Sequence, residues 1–286
     1  MHAHPDVTQS LQEPPLRWAG ARARLAHSIL PNLGNGHRLV EPFVGSASVW
    51  LNSDFPHAFL ADKNPHLIEF YDVVRDAPAA LLEAARPHFE AEAAWSAPGF
   101  RERCQQFDRG GDPRAQAALL LYITHFGLNG LLRYDADGRV TTPFGGRAVR
   151  PTLPADAVLA CAEKAQRTTT TFRAQDFRNT FAQLERGDVV YCDPGPLNAH
   201  PEADTGPYAP NTGGLTEDDH RVLVKCARDA AARGVPVTVS IRDNGRARAL
   251  HQHATELIPI AVPPALERRT RRATAADLLA LYRQRV

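Results

Sequence analysis

The sequence predicts an α/β fold in which strands and helices alternate around one sheet. Short hydrophobic runs recur between segments of helical character, which is the order typical of βαβ units. A glycine-containing turn follows the first of these runs, and an acidic residue ends the second. These three observations predict a nucleotide-binding sheet, interrupted after its second strand by a long segment of helices and loops.

The composition indicates a globular protein. The chain has 286 residues, of which 43% are hydrophobic, and this length fits one large domain or a domain with an insertion. It has no run of about 18 apolar residues, and residues 1–5 lack the features of a secretory signal, so we expect no membrane span and a cytoplasmic location. The cysteines are widely spaced and are expected to be buried thiols rather than metal ligands. They are Cys104, Cys161, Cys192 and Cys226.

The arginines are unevenly distributed. The formal net charge of +1 argues against a protein that binds polyanions over its whole surface. Guanidinium groups bind phosphates and guanine well, so separate basic loops suit a cleft that binds DNA, although ordinary solvated loops give the same pattern. The three clusters are Arg17, Arg22 and Arg24; Arg133, Arg139, Arg147 and Arg150; and Arg268, Arg269, Arg271 and Arg272.

A βαβ unit is predicted near the N-terminus. Its elements are a helix near 25–30, a strand at 38–43, a loop at 44–48, a short helix at 49–51, a strand at 58–61 and a helix at about 65–75. A glycine in the first loop lets the backbone approach a ligand, and an acid at the end of the second strand can hold ribose hydroxyls. Asp62 is placed for that role, although an ordinary βα turn would show the same pattern.

From residue 77 to about 164 the pattern changes to helices and irregular loops. A buried helix is predicted at 119–123, and polar, glycine-rich turns follow from 124 to 147. Loops on a rigid scaffold commonly carry recognition functions. We therefore predict that 77–164 is a target-recognition insertion between two halves of an α/β domain, 16–76 and 165–286, and that residues 1–15 form a disordered tail.

The sheet is predicted to resume after the insertion. Strands are expected at 169–172, 188–192 and 235–240, with a helix at 216–233 between the last two. Thr216 and the acids that follow it are typical of a helix start. The segment 198–214, rich in proline, glycine and asparagine, is predicted to be a mobile loop beside Asp193.

The residues Tyr191 to Pro194 have the chemistry needed to methylate the exocyclic amine of a nucleobase. Such an amine is a poor nucleophile because its lone pair is delocalised into the ring. A carboxylate and a backbone carbonyl placed side by side accept hydrogen bonds from its two hydrogens and orient the lone pair toward an electrophilic methyl group. Asp193 and the carbonyl of Pro194 supply such a pair, because proline directs the chain into a stiff turn after a hydrophobic run.

Seven segments, in order, carry a resemblance to a known family. They are Leu16–Gly20, Leu39–Gly45, Leu60–Asp62, Phe126–Tyr134, Pro143–Gly145, Tyr191–Pro194 and Asp277–Tyr282. Together they resemble the DNA adenine methyltransferases, of the type that methylates adenine N6 in GATC, over roughly residues 16–282. The resemblance implies a Rossmann-like methyltransferase sheet flanked by helices, with an inserted, mainly helical DNA-recognition subdomain.

The same resemblance implies S-adenosylmethionine as methyl donor, double-stranded DNA as partner, and no metal. The implied donor residues are Trp18, Ala19, Gly20, Arg22, Phe43 and Gly45, with Asp62 on the ribose and Asp176 and Phe177 beside the adenine. Asp193 and Pro194 would hold the target amine. The implied DNA contacts are Asn129, Arg133, Tyr134 and Arg147.

Departures from the family pattern surround this implied pocket. They are Ala21 and Arg22 for glycine and lysine, Ala47 for a second glycine, Leu128 for an aromatic, and Gly195 and Pro196 for proline and tyrosine. A methyl group at Ala47 would crowd the donor if the backbone there approached it closely or had positive φ. Losing a stacking ring costs about 1 to 3 kcal/mol per base.

Three functions remain open from the sequence. The first is an adenine-N6 methyltransferase with an altered pocket, the second a DNA base-modifying transferase with another donor or a modified pyrimidine, and the third a catalytically silent DNA-binding protein. Retention of Asp62, Asp176 and Asp193 argues against the third. A metal-dependent nuclease is set aside because the acids are not clustered. His125 and His220 are expected to be solvated, like most of the 12 histidines.

Overall fold

The computed structural model describes residues 11–18, 25–195, 197, 215–261 and 276–284. The strands are β1 (Arg38–Glu41), β2 (His57–Asp62), β3 (Thr169–Ala174), β4 (Asp188–Cys192), β5 (Val237–Arg242), β6 (Glu256–Ala261) and β7 (Ala276–Tyr282). The α-helices are α1 (Ala26–Ile29), α2 (Ser48–Leu51), α3 (Pro65–Asp76), α4 (Pro78–Glu90), α5 (Ala97–Asp108), α6 (Pro113–Phe126), α7 (Ala155–Arg167), α8 (Phe177–Ala182), α9 (Glu217–Ala232) and α10 (Gly245–Leu250).

The strands of the described part form one mixed sheet in the order β3-β2-β1-β4-β5-β7-β6. Strands β1 to β5 are parallel, and β7 runs antiparallel between β5 and β6. The direction of strand succession reverses between β1 and β4, which in sheets of this kind leaves a ligand crevice at the carboxyl ends of these two strands. The predicted α/β class with a Rossmann-like sheet is confirmed.

Hydrophobic residues of the sheet alternate between two cores. Leu39 and Leu60 face a core built with α3 to α7, whereas Val40 and Phe59 face a core built with α8 and α9. Successive strand residues point to opposite faces, so covering both faces with helices requires the nearly continuous apolar sequence of strands such as β4, which is buried throughout.

The predicted insertion is packed into the first core. Helix α6 is buried along most of its length and contacts α3, α4 and α5. Helix α7 contacts α3 and β3, and the predicted boundary between residues 164 and 165 falls inside it. A boundary there would divide one helix, and the extent of the insertion stays a prediction.

Most predicted elements are found with small shifts. The first strand ends at Glu41, two residues earlier than predicted, because Pro42 has no N–H for a strand ladder. The strand expected at 235–240 runs from Val237 to Arg242. Helix α6 extends to Phe126, into the region predicted as a turn, and neither β6 nor β7 was predicted as a strand.

Part of the predicted N-terminal tail is ordered. Gln12 N donates to Asn52 Oδ1 at 2.7 Å, and Asn52 Nδ2 donates to the Gln12 carbonyl at 3.1 Å. Residues 1–10 of that tail, and the segment 198–214 predicted to be mobile, lie outside the described residues. No helix in the described ranges combines the length and apolar character needed to cross a membrane.

Candidate active site

Three acids meet at the carboxyl edge of the sheet. Glu41 ends β1 and Asp62 ends β2, while Asp193 directly follows β4. The strands are parallel and adjacent, with Glu41 opposite Leu60 and Val40 opposite Val190. Their carboxyl ends therefore lie side by side at the crevice.

The loop after β1, residues 43–47, is held against β2. Gly45 N donates to Asp62 Oδ2 at 3.3 Å and Val44 N donates to the Ala61 carbonyl at 2.9 Å. Tyr71 Oη donates to the Gly45 carbonyl at 2.8 Å. Gly45 has φ +47°, in the region that favours glycine. The backbone of this loop is therefore shaped by partly buried hydrogen bonds.

Trp18 lies directly on this loop. A Cβ atom built on Gly45 would approach Trp18 Cδ1 to 3.1 Å and Nε1 to 3.2 Å. The glycine thus allows a flat indole surface and the loop backbone to meet. The predicted donor residues Ala19, Gly20 and Arg22 lie outside the described residues.

Asp62 is a buried acid with acceptor capacity left over. Its Oδ2 accepts from Gly45 N, and its Oδ1 accepts from Asn64 N at 3.0 Å. Burial raises the pKa of Asp62 to about 6, against the lowering effect of these backbone hydrogen bonds. Each carboxylate oxygen accepts more than one hydrogen bond, so Asp62 fits the ribose-binding role predicted for it.

Glu41 is an acid of the site that the sequence reasoning missed. It is buried, and its Oε1 accepts from Trp50 N in α2 at 2.7 Å. Burial, with a smaller contribution from the nearby charge of Asp193, raises the pKa of Glu41 to about 8. The signal was present, because Glu41 ends the first hydrophobic run as Asp62 ends the second.

Ala47, which stands where the family has glycine, has a left-handed backbone conformation. Its φ is +57°, a conformation that L side chains adopt at a cost of roughly 1 to 2 kcal/mol. Its methyl group, however, is fully buried in the first core. The expected crowding of a donor is therefore not supported, and the cost of the substitution falls on the fold.

Phe43, Asp176 and Phe177 extend the edge toward β3. The rings of Phe43 and Phe177 lie 5.4 Å apart. Asp176 caps the N-terminus of α8 by accepting from Arg178 N at 2.9 Å. The chain before it is tied to β2, since Gln175 N donates to the Asp62 carbonyl at 2.9 Å. These contacts bring the three residues to the same edge as Asp62, and their role toward a donor stays a prediction.

Asp193 and Pro194 leave β4 at the crevice. Asp193 is half-buried and Pro194 is buried, and Gly195 has φ +81°. A proline, the family residue at that position, has φ near −65°, so the turn here follows a different path. Pro196 lies outside the described residues.

The sequence matches one family over most of its length. The match is to the D12 class N6 adenine-specific DNA methyltransferases and covers residues 18–262. The chain belongs to this family.

Several relatives in this family are similar in length to the chain. A DNA adenine methylase of Vibrio cholerae is 37% identical over 240 residues, covering 84% of each chain. That of Salmonella typhimurium is 35% identical over 270 residues, covering 93% of this chain and 94% of the relative. That of Escherichia coli strain K12 is 36% identical over 241 residues, 84% of each.

Among solved structures, the rRNA methyltransferase aviRa of Streptomyces viridochromogenes superposes with a TM-score of 0.38. It is 16% identical, and the alignment covers 96% of this chain and 88% of that one. This likeness is too distant to support an argument, so the fold class rests on the strand order described above.

The turn that resembles the family's recognition segment packs against the backbone of Arg17 and Trp18. Asn129 has φ +54° and is exposed, as is Arg133. A Cβ atom on Gly130 would collide with the Arg17 carbonyl and come within 3.3 Å of Trp18 N. The turn therefore packs on the backbone that carries Trp18, while Asn129 and Arg133 remain accessible to DNA.

Tyr134 does not have the position expected of a DNA contact. It is buried, and Asn64 Nδ2 lies 3.4 Å from its hydroxyl. Its ring stacks on His66 with centroids 6.2 Å apart. Tyr134 thus supports the recognition turn from inside by joining it to the residues after Asp62. Arg147 is partly exposed, and its contact with DNA stays a prediction.

Neither of the two singled-out histidines is a solvated side chain, contrary to expectation: His125 is partly exposed and His220 is buried. His125 lies on α6 with Nδ1 2.8 Å from the Leu121 carbonyl, and burial lowers its pKa to about 4. His220 is fully buried in the first turn of α9, and burial lowers its pKa to about 4 as well. Both were misjudged because helix faces turned toward the core were read as polar loops.

The cysteines and possible metal ligands can be compared with expectation among the described residues. Cys104, Cys161 and Cys192 are buried thiols as predicted, and Cys226 is partly exposed. Within the described ranges, no three His, Cys, Asp or Glu side chains come together as a metal site would require.

Proposed function

We propose that this chain transfers a methyl group from S-adenosylmethionine to adenine N6 in double-stranded DNA. The observation that carries the proposal is the placement of Asp193 and Pro194, after β4, next to the β1 loop that Asp62 and Trp18 hold. Donor and amine sites must adjoin for a direct transfer, and these two groups of residues flank the same crevice.

The residues present fit the proposed donor. The half-buried Trp18 indole over Gly45 offers a flat surface beside a partly exposed glycine backbone, and Asp62 has acceptor capacity for ribose hydroxyls. Phe43 and Phe177 offer apolar contact near β3, and Asp176 offers a carboxylate there. S-adenosylmethionine bound among these residues would supply an electrophilic methyl group on a sulfonium.

Asp193 and the Pro194 carbonyl would orient the target amine. Adenine must leave the helix stack to reach them. The two amine hydrogens donate to the carboxylate and the carbonyl, which aims the nitrogen lone pair at the methyl carbon. A bond then forms between nitrogen and that carbon as the carbon–sulfur bond breaks, and the surplus amine proton passes to Asp193 or to water.

Glu41 would be uncharged beside the amine site. With a pKa near 8 it is protonated at neutral pH, so it does not place a second negative charge beside Asp193. Its hydrogen bond from Trp50 N also ties β1 to α2, which supports the loop between them.

The exposed residues Asn129 and Arg133 would face the DNA. The turn that carries them is closed by hydrogen bonds from Leu128 N to the Pro143 carbonyl and from Arg133 N to Thr142 Oγ1, both 2.9 Å. A rigid turn of this kind loses less conformational freedom on binding. Since Gly130 packs on the segment of Trp18, DNA and donor contacts share one support.

A nucleoside digest tests the proposal. The chain is expressed in a host that lacks adenine methylation, and the host DNA is hydrolysed and measured by mass spectrometry. We expect N6-methyladenine from the wild-type chain and none from Asp193→Ala. Asp218→Ala, which removes an exposed carboxylate of α9, is the matched control and should resemble the wild type. An unmodified digest from soluble, folded wild-type protein would reject the proposal.

The path at Gly195 favours a second candidate, a base-modifying transferase for another nucleobase. Its φ of +81° departs from what the family's proline allows, and this turn adjoins the amine site. The same digest distinguishes the two, since a modified pyrimidine that depends on Asp193 would replace N6-methyladenine in the mass spectrum.

A further inference from the structure

One arginine, Arg178, joins the starts of two helices beside the proposed donor site. Its Nη1 lies 3.1 and 3.2 Å from the two carboxylate oxygens of Asp176, the residue that caps α8. Its Nη2 donates to Asp219 Oδ1 in the first turn of α9. A planar guanidinium can serve two carboxylates at once, which an ammonium group does with much less directional control.

The same guanidinium packs on Phe177. Its central carbon lies 4.5 Å from the centre of the Phe177 ring, a cation–π distance. Phe177 in turn contacts Phe43, which follows β1. Arg178 therefore touches both residues, Asp176 and Phe177, that are proposed to border the donor's adenine.

Asp219, the partner of Arg178 in α9, is held in place by hydrogen bonds to Thr216. Asp219 N donates to Thr216 Oγ1 at 3.1 Å and Thr216 N donates to Asp219 Oδ2 at 3.3 Å, which is a capping box. Thr216 Oγ1 also donates to Asp219 Oδ2 at 2.6 Å. This leaves Asp219 Oδ1 for Arg178. Helix α9 itself is packed into the second core through Leu223 and Ala227, so Asp219 provides Arg178 with a fixed point.

We propose that Arg178 is a positioning residue for the adenine of the donor. It holds the Asp176 carboxylate and the Phe177 ring in one arrangement, anchored on Asp219, without touching the reacting atoms. This inference rests on the proposed function in taking S-adenosylmethionine as the donor. Exposed ion pairs contribute little to stability, so the effect of Arg178 should appear in donor recognition and hardly in folding.

Binding of S-adenosylhomocysteine, without DNA, tests the inference. Arg178→Met should weaken binding by roughly tenfold, equivalent to about 1.4 kcal/mol. Asp219→Asn, which removes only the anchor charge, should weaken it less, and Arg178→Lys should give partial rescue. Calorimetry measures each affinity, and thermal unfolding checks that the variants remain folded.

A specificity readout separates positioning from general disturbance. The analogue with hypoxanthine in place of adenine lacks the exocyclic amine that a carboxylate at Asp176 would accept from. The wild type should prefer the adenine compound, and Arg178→Met should reduce that preference. In turnover, the KM for S-adenosylmethionine should rise while kcat changes less than about twofold, because only ground-state binding is altered.

Arg221→Met is the matched control. Arg221 is an exposed arginine of α9 with two carboxylate partners, Glu217 and Asp218, and it should leave donor affinity unchanged. Equal affinity in Arg178→Met and the wild type, or an equal loss in Arg221→Met, would overturn the inference.

The two proposals fail in different ways. A wild-type chain that binds S-adenosylhomocysteine but leaves DNA unmodified would reject the methylation of DNA and leave the Arg178 comparison decisive. A wild-type chain that does not bind the compound at all would reject both.

Discussion

The two sides of the crevice are built differently. On the donor side, Glu41 and Asp62 are buried and accept backbone hydrogen bonds: Glu41 from Trp50 N in α2, and Asp62 from Gly45 N in the β1 loop and from Asn64 N. On the amine side, Asp193 is half-buried at the start of a turn that departs from the family pattern, and Gly195 has positive φ.

Behind the amine side, α9 carries His220, whose ring nitrogens have no hydrogen-bond partner among the described residues. Departures from the family pattern occur on both sides, and the comparison teaches that their structural effect differs. Ala47 keeps the hydrogen-bonded loop and places its methyl group in the core, whereas Gly195 has a φ that proline cannot adopt.

The largest expected effect is at the amine side. Asp193→Ala should lower the single-turnover rate of methyl transfer at least about a hundredfold, since the amine loses the acceptor that orients it. Donor affinity should stay within about twofold, because the donor contacts lie at β1 and β2. Rapid-quench kinetics and calorimetry measure the two quantities. Loss of both together would contradict the separation of the two sides.

Acid should destabilise the fold through two buried histidines, His220 and His251. Burial lowers the pKa of His220 and of His251 to about 4, against about 6.5 in an unfolded chain. Between these values the unfolded state binds more protons, so stability is retained above pH 6.5 and falls as the pH drops. The loss is roughly 2 kcal/mol per histidine at pH 5.

Urea unfolding of the wild type and of His220→Leu at pH 7.5 and pH 5 measures this loss. Leucine has a similar volume and, since the ring nitrogens of His220 have no partner in the described part of the chain, sacrifices no hydrogen bond there. The variant should therefore lose less stability on acidification. An identical drop in both proteins would show that His220 does not contribute.

On the donor side, Asp62→Ala should weaken S-adenosylhomocysteine binding by roughly ten- to a hundredfold, the effect of losing a charged hydrogen-bond acceptor of about 1.5 to 3 kcal/mol. Asp62→Asn keeps one acceptor oxygen and should lose less. Calorimetry at pH 7.5 compares them. Unchanged affinity in the alanine variant would remove Asp62 from the donor site.

Gly195 offers a direct way to break the comparison. Gly195→Pro forces φ near −65° where the structure has +81°, so transfer should fall, by about tenfold if the strain is 1 to 3 kcal/mol. Gly195→Ala, which is strained but keeps its N–H, is the control and should fall less. A proline variant with higher activity would show that the turn can adopt the family path.

The smallest effect is expected at Ala47. Ala47→Gly removes the strain of an alanine with left-handed backbone, but it also removes a buried methyl group and raises the conformational entropy of the unfolded chain. These effects oppose each other, so the free energy of unfolding should change by less than about 1 kcal/mol. Donor affinity should be unchanged because the methyl group faces the core. Tighter donor binding in this variant would revive the idea that Ala47 crowds the donor.

Much of the site was predictable because its local signals are strong. A hydrophobic run that ends in an acid placed Asp62, and proline after Asp193 placed the turn at the end of β4. Glu41 was not predicted as a site residue although it carries the same signal. Its side chain accepts a hydrogen bond from Trp50 N in α2, a contact that the local sequence does not reveal. Tyr134 was predicted to contact DNA because the local sequence of a glycine-rich turn does not show whether its tyrosine is buried.

The sequence by itself determined the α/β class, the order of most strands and helices, and the family, since these depend on local patterns and on motifs in a fixed order. Tertiary structure decided the rest. It packed α7 against α3 and β3, buried His220 and Tyr134, turned the Ala47 methyl group into the core, and joined Arg178 to Asp219 across 41 positions. Contacts between residues distant in sequence arise from packing and charge in three dimensions, which no local pattern encodes.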